Sequence, residues 1–297
     1  MRASVIIPCR DAERTVGDAV ASALAQSAPP LEVLVVDDAS TDGSAAAARK
    51  AGARVLTNPV RRHAGGARNA GIDATSGELL AFLDADAVAP PDWLARTRRI
   101  FEADPSIAGV GGSIANGRPG RFGELDYFLN HSEWLGSGPA GEKRSIPTMA
   151  IVYRRDLVGP ARFPESNSGE DTAFALAVAA RGGRLWYEPA IRVMHRHERL
   201  DFESFWKKQL ACGRTIFLTR STLERPGKVL VRAPVLLLLF PHLWITLARM
   251  ARAGRGARAV ALFPWLLAGE IARIRGFLEA RRERRRSSAT TAREVRA

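Results

Sequence analysis

Three acidic clusters hold the residues whose types and spacing could do chemistry. Asp84-Ala85-Asp86 follows the apolar run Leu79-Leu80-Ala81-Phe82-Leu83, so two carboxylates one residue apart leave the carboxyl end of an expected strand. Alternation along an extended chain predicts that both project to the same side. Hard oxygen donors at that spacing suit Mg²⁺ or Mn²⁺, which keep waters and also take phosphate oxygens. Such an ion offsets charge building on a diphosphate leaving group. The bland alternative is an exposed acidic turn.

Glu170-Asp171 stands at the expected start of a helix, after the loop from Pro164 to Gly169. Carboxylates there cap the helix and face its dipole. One of them could equally serve as a general base for an attacking hydroxyl, given hydrogen-bond reach. The third cluster, Asp37-Asp38-Ala39-Ser40-Thr41-Asp42-Gly43-Ser44, closes another apolar strand. It reads either as a strand–turn–helix connection or as an acceptor for the imide or amino N–H of a nucleobase. His63-Ala64-Gly65-Gly66-Ala67-Arg68-Asn69 adds glycines that permit close backbone approach and an arginine suited to phosphate or base contacts. It carries neither the Walker lysine pattern nor G-x-G-x-x-G, so neither an NTPase nor a dinucleotide fold is supported.

The elements that must position these groups alternate in βαβ fashion. Ser4–Ile7, Glu32–Val36, Ala53–Leu56 and Glu78–Leu83 read as strands, with helices at Glu13–Ala25, Ser44–Lys50 and Gly66–Ala74 between them. Their polar ends fall where open α/β sheets bind ligands. Pro90-Pro91 opens a helix running through Phe101, and Ile107–Ile114 reads as a strand. A Gly/Pro-rich stretch then extends to Pro147. Met149–Tyr153 reads as a buried strand, Glu170–Arg181 as a helix stopped by Gly182-Gly183, and Arg184–Tyr187 as a returning strand.

In this order and spacing the motifs resemble the family 2 glycosyltransferases of GT-A fold. The match rests on Val5-Ile6-Ile7-Pro8, Val35–Ser44, Gly66–Ile72, Leu83–Asp86 and Gly169–Thr172, and extends through Glu188-Pro189 and His195 to Gly213-Arg214. The resemblance implies an inverting transfer from a UDP- or GDP-sugar to a hydroxyl, with a divalent metal as cofactor. By the same resemblance Pro8, Cys9, Asp37, Asp38, Arg68, Asp84 and Ala85 bind the nucleotide-sugar. Asp84, Asp86 and His195 would hold the metal, and Asp171, beside Glu170, would be the base. Cys9-Arg10-Asp11 departs from the usual Tyr-Asn after the proline, and Thr148-Met149 stands where an Asn-containing motif is common. A nucleotidyltransferase, or a nucleotide-sugar-binding protein without turnover, are the rival readings.

The chain has 297 residues, 46% hydrophobic and 25% charged, which is globular composition and excludes a mainly disordered chain. Two cysteines, Cys9 and Cys212, give no metal-ligand or disulfide pattern. The first residues read as a buried strand, not as an export signal. The net charge of +13 is mostly arginine, with only five lysines, and no motif ties it to nucleic acid. The arginines do crowd the last fifth, at Arg249, Arg252, Arg255, Arg258 and from Arg281 to Arg286.

They flank two apolar runs, Ala233–Ala248 and Ala259–Ala268, both short for a bilayer crossing and both containing proline. A spanning hairpin would put the arginine loop outside, against the positive-inside tendency. An interfacial pair with arginines at anionic head groups is therefore expected, with a buried helical subdomain as the alternative. The expected layout is a doubly wound mixed-sheet α/β domain over 1–220, an apolar helical membrane-associating appendage over 221–280 and a basic, disordered tail over 281–297. This places the enzyme on the cytoplasmic side of a membrane, with a glycan or lipid-linked acceptor.

Overall fold

The computed structural model describes residues 1–118, 120–165, 169–196, 201–222 and 232–294. The chain divides into two compact units, Met1–Gly117 with Trp134–His197, and Arg118–Glu133 with Glu198–Ala297.

The first unit is built on strands β1 (Ala3–Cys9), β2 (Glu32–Asp37), β3 (Arg54–Thr57), β4 (Leu79–Leu83), β5 (Ala87–Val88), β6 (Ile107–Asn116), β7 (Gly141–Lys143), β8 (Ala150–Arg154) and β9 (Arg184–His195). The strand order is β3-β2-β1-β4-β8-β6-β9-β5, with β7 on β9. β1, β2, β3 and β4 run parallel, whereas β8 is antiparallel to β4 and β6. The central strands are covered on both faces, which is why they read as unbroken apolar runs; β4 is buried at every position. From β1 the chain steps to β2 on one side and later to β4 on the other. The crevice at such a switch point lies outside the carboxyl ends of these strands.

Helices α1 (Val16–Leu24), α2 (Ser44–Lys50), α3 (His63–Asp73) and α4 (Trp93–Ala103) connect the strands. In α1 the buried residues Val16, Ala19, Val20 and Ala23 recur at helical spacing. Helix α3 is buried along most of its length, at Gly65–Asn69, Gly71 and Ile72. Its Gly71 packs so close to Ile6 of β1 that a Cβ would collide with that side chain. A short helix α6 (Arg155–Val158) and helix α7 (Glu170–Ala179) follow β8.

Strand β9 is three times the length read from Arg184–Tyr187. Its pairing with β6 jumps from Gly112↔Glu188 to Ser113↔Arg192, so Pro189, Ala190 and Ile191 bulge out and the strand resumes beyond them. Ser113 Oγ donates to the Pro189 carbonyl at 2.8 Å and fixes the bulge.

The second unit is helical: α5 (Arg121–His131), α8 (Phe202–Thr222), a 3₁₀ run Pro234–Leu239, α9 (Pro241–Arg252) and α10 (Gly256–Glu294). The expected C-terminal appendage is thus joined by α5, from the middle of the stretch read as Gly/Pro-rich loop. Its faces pack through Leu125, Phe205, Leu243, Met250, Leu266 and Phe277. α8 and α10 touch backbone to backbone, since a Cβ at Gly213 would strike the Arg273 carbonyl and one at Gly276 the Leu210 carbonyl. Buried Arg273 donates to Gln209 at 2.7 Å and to Asn130 at 2.6 Å, and Gln209 donates to Asp126 at 3.1 Å. The basic run from Arg281 to Arg286, expected in a disordered tail, is carried on α10. Among the described residues no helix is long and apolar enough to cross a membrane.

Candidate active site

At the carboxyl end of β1, Cys9 pairs with Asp37 of β2. The Cys9 thiol is buried and faces Ser44; burial pushes its pKa up to about 12. Its carbonyl accepts from Asp38 N–H at 2.8 Å. Asp37 and Asp38 are both buried. Asp38 Oδ1 accepts from Asn58 Nδ2 at 2.9 Å and from Arg62 N–H at 2.8 Å, while Asp37 Oδ1 accepts from Ser40 N–H at 3.3 Å. Arg10 Nη1 donates to the carbonyls of Asp38 and Ala39 at 2.9 and 3.0 Å. Asp11, Ala39 and His63, all at this rim, have φ of 48°, 58° and 62°. Left-handed backbone at non-glycine residues costs about 1–3 kcal/mol each and concentrates at functional sites.

Asp84 and Asp86 do not alternate along an extended strand. Past Leu83 the backbone turns, closed by Ala87 N–H on the Asp84 carbonyl at 3.0 Å, and the carboxylates take different partners. Asp84 Oδ1 receives Arg68 Nη2 at 2.9 Å. Asp86 Oδ2 meets His195 Nε2 at 3.1 Å. The extension of β9 delivers that histidine: Ala87 of β5 pairs with His195, and Arg196 N–H donates to the Asp86 carbonyl at 2.7 Å. Ala85, between the acids, is buried.

Arg68 lies at the centre. Its side chain is 4% exposed, and Nη1 reaches Glu170 Oε1 at 3.2 Å. The guanidinium therefore ties the acidic turn after β4 to the first residue of α7, and its Cζ lies 5.5 Å from the centroid of the Phe163 ring. Burial opposes the charge, but Asp84, Glu170 and Asp171 outweigh it and hold the guanidinium pKa above its ordinary value. Burial pushes both Asp84 and Glu170 up; Arg68 opposes this in each case, while the neighbouring Asp86 and Asp171 respectively add to it.

Neither acid of the α7 pair caps it through a side chain; the cap is Gly169 at φ 76°. Glu170 is spent on Arg68, whereas Asp171 Oδ1 accepts only the adjacent Thr172 N–H, at 2.8 Å, among the bonds of the described residues. The segment before α7 is clamped to α3. Asn69 Nδ2 donates to the Phe163 carbonyl at 2.8 Å and Asn69 Oδ1 accepts Phe163 N–H at 2.9 Å. A Cβ at Gly65 would strike the Pro164 carbonyl. Beneath, Phe163 stacks on Phe174 with centroids 3.8 Å apart, and Phe82 meets both edge-on.

The site thus gathers Arg68, Asp84, Asp86, Glu170 and His195, with Asp171 next in chain, and separately Cys9, Asp37 and Asp38 beside Pro8. Sequence reasoning passed over Asn58, Arg62, Asn69 and Phe163; only Asn69, next to Arg68 in a Gly-rich motif, carried a signal. Among the described residues no three His, Cys, Asp or Glu side chains form a metal-holding group. Asp84, Asp86 and His195 are therefore not a ready three-ligand set, because Arg68 and His195 each engage one of the acids. Two partly exposed carboxylates in one turn do fit Mg²⁺ or Mn²⁺, which bind through one or two carboxylates plus phosphates and water.

The family model for glycosyl transferase family 2 matches residues 4–157, just over half of the chain. A glucosyl-dolichyl phosphate glucuronosyltransferase of Haloferax volcanii is 26% identical over 235 residues, 70% of this chain and 75% of that protein. A UDP-Glc:alpha-D-GlcNAc-diphosphoundecaprenol beta-1,3-glucosyltransferase of Escherichia coli is 28% identical over 173 residues, 54% of this chain and 63% of that one. Among solved structures, a mannosyltransferase from Pyrobaculum calidifontis in complex with GDP-Man and Mn²⁺ aligns over 94% of this chain and 86% of that one. Its TM-score is 0.65 at 21% identity, and it shares the GT-A fold. The mixed sheet, the acidic residues at the ends of β2 and β4 and the matched segment agree: the chain belongs to glycosyl transferase family 2 and is a glycosyltransferase.

Proposed function

We propose that the enzyme transfers a sugar, with inversion, from a UDP- or GDP-sugar to a hydroxyl of a lipid-linked or cell-envelope glycan acceptor, at the cytoplasmic face of a membrane. The observation that carries the reading is the Arg68 bridge. It brings the acids after β4 and the acids opening α7 to one guanidinium, at 2.9 and 3.2 Å. That closeness supports a leaving-group site at Asp84 and Asp86 with the base at Asp171, next to Glu170.

Asp38, Asp37, Pro8 and the Cys9 backbone border the base pocket, with Asp38 held by Asn58 and the Arg62 N–H. Asp84 and Asp86 would hold a divalent cation, which when bound neutralises charge on the departing diphosphate. Asp171 takes the proton of the acceptor hydroxyl as its oxygen attacks the anomeric carbon opposite the leaving group. The new C–O bond forms as the bond to the diphosphate breaks, and no covalent enzyme intermediate is needed. Glu170, whose Oε1 pairs with Arg68, holds that guanidinium in place beside it. The Haloferax volcanii and Escherichia coli relatives, named for dolichyl phosphate and diphosphoundecaprenol substrates, support a lipid-linked acceptor.

The test is release of nucleoside diphosphate from a panel of UDP- and GDP-sugars with Mn²⁺ or Mg²⁺ and extracted membrane lipid as acceptor. Asp171→Asn is expected to lower turnover by about 10²–10⁴-fold while nucleotide binding persists. Asp86→Ala should lose the metal-dependent part. Turnover by Asp171→Asn at the wild-type rate would remove Asp171 from the chemistry, and release of pyrophosphate instead would make the enzyme a nucleotidyltransferase.

A further inference from the structure

The helical unit carries a surface that neither its core nor the catalytic site accounts for. Leu238 and Leu239, ending the 3₁₀ run, are 58% and 66% exposed, and Trp244 and Ile245 in the N-terminal half of α9 are 58% and 49% exposed. Trp244 Nε1 donates to the Leu239 carbonyl at 3.1 Å, so these side chains form one contiguous corner. Single exposed apolar residues are ordinary; a contiguous cluster marks a binding surface.

Helix α9 shows the same pattern along its length. Leu243, Thr246 and Met250 face the core, while the outward stripe reads Trp244, Ile245, Ala248, Ala251, Arg252. A water-facing stripe would be polar throughout; here it is apolar and ends in a cation.

The stretch of chain that carries this corner is strongly basic. Residues 232–286 hold twelve arginines and three glutamates. Each glutamate is engaged within the unit: Glu270 by His242 at 3.0 Å, Glu279 by Arg275 at 2.8 Å and Glu283 by Arg214 at 2.5 Å. Arg249 and Arg258 pair with Glu133 and Glu124. Arg252 and Arg255, directly after the apolar stripe, are exposed, and Arg255 packs over the Phe128 ring at 5.7 Å. Two copies of so basic a surface repel each other, whereas an anionic bilayer complements it.

We infer that this corner docks the enzyme on anionic phospholipid, an inference that rests on the reading of a membrane-surface enzyme. Leu238, Leu239, Trp244 and Ile245 enter the boundary between head groups and acyl chains, with the Trp244 indole at the depth its amphipathic ring favours. Arg252 and Arg255 contact lipid phosphates. The unit lies on the membrane and sends no helix across it.

The experiment is flotation of the full chain with phosphatidylcholine vesicles, with or without phosphatidylglycerol, at low and high salt, in the absence of nucleotide and acceptor. Wild type is expected to float with the phosphatidylglycerol vesicles only, less so at high salt. Leu239→Glu/Ile245→Glu and Arg252→Glu/Arg255→Glu should each reduce the partition at least about tenfold. Leu239→Glu/Ile245→Glu should melt at the wild-type temperature and Arg252→Glu/Arg255→Glu slightly below it, since the Phe128 contact is lost, and Leu24→Glu, at an exposed apolar position of the sheet unit, should float as wild type does. Equal flotation with neutral vesicles, wild-type flotation of either double variant, or no flotation of wild type would overturn the inference. So would lipid-free self-association abolished by Leu239→Glu/Ile245→Glu, which would make the corner a contact between copies. Because nucleoside diphosphate release is read separately, flotation without turnover defeats only the catalytic reading, and turnover without flotation defeats only the docking.

Discussion

Removing Arg68 tests the centre of the site. In Arg68→Met the stem stays against Phe163, but the cation leaves Asp84 and Glu170, whose side chains are 29% and 13% exposed, without their partner. Deleting one member of a buried ion pair costs about 3–5 kcal/mol. The low end applies, because Asp84 keeps some water and both acids can take up a proton, so about 3 kcal/mol is expected. For a unit of this size that is a fall in melting temperature of roughly 6–12 °C. The sign of the pH dependence follows from both carboxyls being raised above their ordinary values by burial. A carboxyl raised in the fold favours the folded state below its unfolded pKa and loses that contribution as pH rises through the folded value. Without Arg68 both values rise further, so the penalty is largest at neutral pH and shrinks toward mildly acid pH. Thermal unfolding of wild type and Arg68→Met, followed by circular dichroism across that range, reads it directly. Adding Glu170→Gln should recover at least about 1 kcal/mol at neutral pH. A fall under about 2 °C, or one of equal size at both ends of the range, would refute the argument that Arg68 is the counter-ion of two half-buried acids.

Asn69→Ala leaves the buried N–H and carbonyl of Phe163 without partners. It should cost about 2 kcal/mol in urea unfolding and lower turnover by loosening the segment that delivers α7; unchanged values for both would mean the clamp holds nothing. Cys9, with its thiol pushed up to about 12, should react with iodoacetamide at mildly alkaline pH roughly a thousandfold more slowly folded than unfolded, from the thiolate fraction alone. Peptide mass spectrometry quantifies this, and equal rates would mean the thiol is not held beneath the strand end.

The sheet was readable because of where its strands lie. β1, β2 and β4 are buried on both faces, so Val5-Ile6-Ile7, Val33–Val36 and Leu79–Leu83 stand out as apolar runs with polar ends, and α2 falls at Ser44–Lys50 as its pattern predicts. The second half of β9 was not readable, since Pro189 looks like a strand end and only the bulge against β6 lets the strand continue. His195 reaches Asp86 by that hidden extension. Helix α5 was masked by the glycines and prolines around it, although Leu125, Phe128 and Leu129 sit at helical spacing and are buried. The turn after Leu83 defeated the alternation argument for Asp84 and Asp86, because periodicity holds only while the backbone stays extended.

Arg68 was placed by motif near the nucleotide, but spacing alone does not reveal that its guanidinium is shared between acids 16 and 102 positions away. That sharing distinguishes the members of each acidic pair by their partners. Glu170 and Asp171 are adjacent carboxylates at the start of one helix and would be interchangeable on composition. Arg68, approaching from α3, bonds the first of them, while the second accepts the Thr172 N–H, which is why the proposal places the base at Asp171. The same guanidinium bonds Oδ1 of Asp84, and His195 meets Asp86, so the two acids of the turn are held by different elements. The Asn69 clamp and the Gly65 contact hold α3 to the segment before α7. The relative placement of Asp84 and Glu170 is therefore set by one helix packed on β1, and not by the loop that joins them in sequence.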